Sequence, residues 1–230
     1  VTGLVGSEMC IRDRSKAAAI GKDLKVRTRC LLRLDEDIAG GMSRSALEQG
    51  ADLLMIGAGR PDKVRRWFFG DLVDGVCRTA HCPVVVLNLA GRQVDSLQRI
   101  LVPIKDLSAS AREQFELAQR LLACESGDQC LITLLHIVDP RLNRFERIRI
   151  EHELRRWQPR SSTASVIRIQ LASGPAVEAK IERSSREHDL VILRSQRRQV
   201  AGLPIPTSDR TSNLVSLLNC ASMVISEPLT

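Results

Sequence analysis

Gly57, Gly59 and Gly70 are the residues of this chain whose type and spacing best suit chemistry. The first two end the run Asp52-Leu-Leu-Met-Ile-Gly57-Ala-Gly59, and Gly70-Asp71 opens a helix-like stretch thirteen residues after Gly57. A second apolar, β-branched run follows as His81-Cys82-Pro83-Val-Val-Val-Leu87. Strand, loop, helix and parallel strand is the order this implies, with the loop where open α/β sheets bind ligands. Backbone N–H groups and the amino end of the helix would favour an anion there. A second basic stretch, Arg194-Ser-Gln-Arg-Arg198, also follows an apolar run and could gather an anion of another kind.

Other chemistry finds less support. Cys77 and Cys82 flank His81, but a fourth metal ligand and the usual spacing are missing. Buried small hydrophobes are the plainer reading of both cysteines. The four histidines, at 81, 136, 152 and 188, fall in unrelated elements. His136 lies inside an apolar strand and reads as a hydrogen-bonded core residue. No G-x-S-x-G, H-E-x-x-H or G-x4-G-K-(S/T) occurs, so the chain does not read as an enzyme.

The elements that must position these residues repeat. Strands are expected at 26–32, 53–56, 84–87, 99–104, 131–138, 166–171, 190–193 and 223–225, alternating with helical periods. Ser110-x-x-Glu113 has the capping-box pattern of a helix start. Gly40 and Gly41 weaken the first helix by about 1 kcal/mol each relative to Ala, without a local reason. An offset of 137 residues carries Asp52-Leu53 onto Asp189-Leu190, and the Arg44-Ser45 that precedes the first pair resembles the Arg183-Ser184 that precedes the second. The expected fold is therefore α/β, two open parallel-sheet units, the first truncated at its amino end. Residues 15–91 form the truncated unit, 97–230 the complete one, and Gly91–Ser96 a polar linker.

The glycine loop and the C-P-V strand resemble the universal stress protein family, whose nucleotide loop reads G-x2-G-x9-G-(S/T). The resemblance covers nearly everything from residue 24 onward and implies a tandem. Here the pattern lands on Gly57, Arg60, Gly70 and Asp71. By motif match it implies nucleotide contacts at Gly57, Gly59, Gly70 and Val84. Arg60 stands where the family has a glycine, and Asp71 puts a carboxylate where phosphate would sit. In the second unit the family's V-P-V-D appears as Val102-Pro-Ile-Lys105, so lysine replaces the ribose-binding acid, with Asp106 one place late. ATP or AMP is the cofactor class implied, through a degenerate site. The family dimerises through last strands, so 84–87 and 223–225 are expected to pair within one chain or between copies. Arg99-Ile-Leu-Val-Pro-Ile-Lys and Leu190-Val-Ile-Leu-Arg-Ser-Gln-Arg-Arg also resemble the cytoplasmic tails of prokaryotic cation/proton antiporters. That implies a regulatory module fused to a transmembrane transporter domain; a free-standing adenine-nucleotide-binding stress protein is the alternative.

Composition sets the outer bounds. The net charge of +7 permits anionic partners. With 3% aromatic residues and no Tyr, a stacking surface for single strands is hard to build, so no nucleic acid is expected. Seven cysteines without a C-x-x-C pair suggest reduced thiols and a cytoplasmic setting. No apolar run reaches the ~20 residues of a membrane span. Residues 1–14, with Glu8-Met-Cys-Ile-Arg-Asp13, resemble a translated transposase end from library preparation and are set aside.

Overall fold

Each apolar run from Leu53 onward becomes a strand of one sheet. The computed structural model describes residues 14–57, 71–122, 130–157, 165–196, 198–200, 203–205 and 209–228. Two compact units divide the chain, Val1–Asp37 and Ile38–Thr230. In the first, helix α1 (14–23) ends with Lys25 at φ 54 and Val26 N–H donating to Gly21 O at 2.8 Å. That is a helix stop with lysine in the left-handed position. The strand expected at 26–32 does not form. Among the described residues of its own unit no other segment is a strand, so a strand there would find no ladder among them to join, and Leu31 and Leu32 stay exposed.

The second unit runs α2 (Ile38–Glu48), β1 (Leu54–Gly57), α3 (Asp71–Thr79), β2 (Val84–Asn88), a 3-10 turn (Val94–Ser96) and β3 (Arg99–Ile104). It continues with α4 (Ala109–Leu121), β4 (Cys130–Val138), α5 (Arg144–Arg155), β5 (Ser165–Ser173), α6 (Val177–Ser185) and β6 (Leu190–Gln196). A small hairpin, β7 (Arg198–Val200) and β8 (Leu203–Ile205), precedes α7 (Asp209–Leu217) and β9 (Ala221–Glu227). The main sheet has seven strands in the order β1-β2-β9-β6-β3-β4-β5. All its pairings are parallel except β2 with β9.

That exception joins the two repeats. Val86 lies opposite Val224 and Leu87 opposite Met223. Shifting one partner forward and the other back by the 137-residue offset exchanges these two pairs. The antiparallel ladder therefore runs about an approximate two-fold axis, as a self-complementary junction must. The last strands pair within the chain, as expected, and the pairing joins the parallel ladders of the two repeats into one sheet.

Both faces of that sheet are covered, which is why the strands read as continuous apolar runs. Val84, Val86, Val191, Leu193 and Val224 pack with α2, α3, α6 and α7 on one face. Val85, Ile192, Met223 and Ile225 pack with α4 and α5 on the other. Tertiary packing also explains the glycines of α2. Gly40 and Gly41 are buried, and a Cβ on Gly75 of α3 would lie 2.7 Å from the Cβ of Ala39. Small residues let α2 and α3 cross closely, and the hydroxyls of Ser43 and Thr79 meet at 2.6 Å in the crossing.

Asp189 and His188 fix the amino end of the sheet. Asp189 accepts from the backbone N–H of Gln98 (3.1 Å) and Arg99 (2.9 Å), and pairs with Arg92 of the linker at 3.1 Å. His188 donates from Nδ1 to Ser184 O at 2.7 Å and accepts from Thr133 Oγ1 at 2.8 Å, in its neutral form. Burial holds its pKa below the ordinary histidine value, against the backbone bond to Ser184. The expectation of thiols throughout needs one correction. Cys77, Cys82 and Cys220 are buried and free, but Cys130 is disulfide-bonded.

Two outcomes follow from these contacts. Because the unfolded chain takes up a proton at His188 near pH ~6.5 and the folded chain resists it, stability falls as pH drops through that value. His188→Gln should flatten this slope, by at most about 1.4 kcal/mol per pH unit, in denaturant titrations between about pH 7.5 and 5. Val85→Glu with Val224→Glu places carboxylates in the sheet interior beside the junction, and should cost more than about 4 kcal/mol. Scattering should show a chain that has lost compactness; unchanged unfolding and unchanged radius would contradict the role given to β2 and β9.

Candidate functional site

The sheet reverses its winding between β3 and β6. From β3 the chain proceeds outward to β4 and β5, then crosses back to β6 and β9. At such a switch point the carboxyl ends of the two central strands leave a crevice. The β3–β6 ladder is short, with Ile100 opposite Leu190 and Leu101 opposite Val191. Beyond it the strands part, and Gln114 of α4 fills the gap. Its Nε2 donates to Ile192 O at 2.6 Å and to Pro103 O at 3.3 Å. A buried amide thus replaces ladder hydrogen bonds that the splayed backbones no longer make.

Outside this plug lies a cavity of about 530 Å³, within the ordinary range for small-molecule sites. Lys105, Asp106 and Ser108 line it from the end of β3, Glu178 and Ile181 from α6, and Arg194 from β6. Ser108 shapes one wall. Its side chain caps α4 by accepting from Ala111 N–H at 3.3 Å, while its backbone N–H donates to Asp106 at 3.1 Å. The helix start read at Ser110–Glu113 therefore lies two residues earlier, and Glu113 is released for another contact. Hydrogen bonds from the Ser108 hydroxyl and backbone hold the Asp106 carboxyl below the usual carboxylate range. Asp106 is an anion at neutral pH.

Arg194 has the decisive geometry. Its guanidinium donates to Ser110 O and contacts Glu227 of β9 closely, and it reaches Glu113 at 3.2 Å. The anion-gathering reading of the 194–198 stretch fails at Arg194, because two carboxylates already hold its charge. Arg197 lies outside the described residues. The basic stretch also does not begin a loop at Arg194: β6 continues to Gln196, opposite Glu227 of β9, before the β7–β8 hairpin. Sequence reading missed that hairpin, although Ala201-Gly202 between the two strands is a turn signal.

The glycines of the first repeat are less assembled. Gly57 ends β1 opposite Leu87 and is exposed, with open space where a Cβ would stand. Val84 sits at the other end of the same ladder, opposite Leu54 and Ser226, with its side chain wholly buried. The structure does not bring Val84 and Gly57 together. Gly59, Arg60 and Gly70 lie outside the described residues. His136 donates from Nδ1 to Ile104 O at 3.1 Å, since a carbonyl only accepts. Among the described residues no group of three or more His, Cys, Asp or Glu could hold a metal, and no helix is long and apolar enough to cross a membrane.

Residues 10–88 match the universal stress protein family profile, beginning inside the segment set aside as foreign. Over 188 residues the chain is 31% identical to the Na(+)/H(+) antiporter NhaS5 of Synechocystis sp., covering 81% of this chain. It spans about a quarter (26%) of that antiporter's length. A universal stress protein of Archaeoglobus fulgidus has a similar fold, with TM-score 0.66 and 14% identity, over 96% of this chain and 79% of its own. A Pseudomonas aeruginosa protein of unknown function is similar at TM-score 0.63 and 12% identity, over 94% and 77%.

Removing the Arg194 cation tests how the cavity end is held. Arg194→Met should destabilise the chain by about 1–3 kcal/mol, since Glu227 is left half-buried beside no cation. Glu113→Gln, at a carboxylate mostly in water, should cost under about 1 kcal/mol. Adding Glu227→Gln to Arg194→Met should recover part of the loss in chemical denaturation. Equal costs for the first two variants would contradict this assignment.

Proposed function

We propose that this chain, which carries a universal stress protein domain at residues 10–88 and resembles part of a Na(+)/H(+) antiporter, is a non-enzymatic regulatory module. Its parent is a cation/proton antiporter, and the module works on the cytoplasmic side of the membrane, with its nucleotide site degenerate. The observation that carries the degenerate site is the charge at the β3–β6 switch point. Among the described residues of its lining Lys105 and Arg194 are the cations, and Arg194 is committed to Glu113 and Glu227. Asp106 and Glu178 add two further carboxylates to the lining. Among these described residues a polyphosphate would meet more carboxylates than uncommitted cations. The backbone offers little compensation, because β6 runs on as strand where a phosphate loop would break away. Anion contacts at a helix terminus contribute about 0.3–1 kcal/mol each at exposed sites, too little to offset this.

A second reading keeps adenine nucleotide binding in a free-standing stress protein. The 530 Å³ cavity at the switch point is the feature in its favour, as is Gly57 at the end of β1 in a longer parent. Calorimetry decides between the readings. ATP and AMP should bind this chain with dissociation constants weaker than about 10 μM, about −7 kcal/mol. Tighter binding that is lost in Lys105→Glu would establish the second reading instead.

A further inference from the structure

Helix α5 presents an outward face that its fold does not use. The inward side is accounted for: Leu154 is fully buried, Ile150 and Trp157 pack on the core, and Trp157 lies 6.5 Å from Phe115 between ring centroids. The start is closed by a capping box in which Asn143 and Glu146 exchange backbone contacts at 2.9 Å. Yet Phe145 is 83% exposed and Ile148 54%, the former an unusual place for a phenylalanine. On a helix turning about 100° per residue, Phe145, Ile148 and His152 fall along the outward midline. Arg144 and Arg155 fall along one flank, Arg149 and Arg156 along the other, all exposed.

The acidic residues of the helix do not cancel this face. Glu146 is turned into the cap, and Glu151 and Glu153 reach Arg155 and Arg156 at 2.6 and 3.5 Å. Arg144 and Arg149 have no carboxylate partner among the described residues. Asp139, before the helix, bonds the backbone of Arg141. An apolar midline between arginine rows is the pattern of a helix lying in a membrane interface. The guanidinium groups match lipid phosphates in geometry and charge.

We propose that the outward face of α5 docks on an anionic phospholipid surface, with Phe145 and Ile148 entering the headgroup region and Arg144 and Arg149 on lipid phosphates. This stands on the charge and exposure of α5 alone. It holds whether or not the parent is an antiporter and whether or not the cavity binds nucleotide.

The test is co-sedimentation of the full 230-residue chain with vesicles of phosphatidylcholine, with and without added phosphatidylglycerol. Binding should require phosphatidylglycerol and weaken as salt rises. Arg144→Glu with Arg149→Glu should weaken it at least about tenfold. Phe145→Ser with Ile148→Ser should weaken it several-fold at every salt concentration, with the circular dichroism spectrum unchanged. Arg168→Glu, a charge reversal at an exposed site on β5, should leave binding within about twofold. The proposal is overturned if phosphatidylglycerol gives no increase in binding. It is also overturned if Arg168→Glu matches the α5 double reversal, or if the serine variant binds as well as the parent while duplex DNA competes fully. Either of those last results would describe a general polycation.

Discussion

The antiparallel contact of β2 with β9 is the constraint on which the rest of the second unit depends. Each is the last strand of its repeat, and each is apolar on both faces, with Val84, Val85, Val86 and Val224 almost wholly buried. Left alone, either would be an exposed edge inviting association. Paired, they close two parallel ladders into one sheet with β1 and β5 at its edges. Because the register maps onto itself under the repeat offset, one contact places both repeats at once. The helices α2, α3, α6 and α7 then share a single face, and the crowded α2–α3 crossing finds its reason in Ala39 and Gly75.

The same arrangement shapes the switch point. With β9 held against β6 to its last residue, Glu227 arrives beside Arg194. The strand extends through residues that could otherwise have formed a phosphate loop. Gln114 closes the gap between β3 and β6 from inside, while Asp106 and Ser108 turn toward each other at its mouth. What remains is a cavity in which Arg194 is ion-paired and Asp106 is held by the Ser108 backbone.

Local chemistry made much of this legible. The strand at 99–104 and the runs near 84–87, 131–138 and 190–193 could be placed because β-branched residues buried on both faces leave continuous apolar runs. The repeat was legible because Asp52 and Asp189 stand at equivalent strand entries, although only Asp189 has a neighbouring β3 to hold. Where local signals misled, a partner was missing or unforeseen. The alternating pattern at 26–32 met no ladder among the described residues of its unit. The capping box at Ser110 yielded to Ser108, because Glu113 found Arg194.

By itself, then, the sequence determined the periodicities: which segments are strands, which helices carry apolar faces, and where the chain repeats. These depend on neighbours a few residues apart, and such neighbours are written in order. Tertiary structure alone decided the antiparallel junction, the neutral tether at His188, the charge balance at Arg194 and the outward turn of Phe145. Each of these is a meeting of groups far apart in the chain, or the absence of one, and its energy comes from burial and pairing that exist only once the sheet has closed.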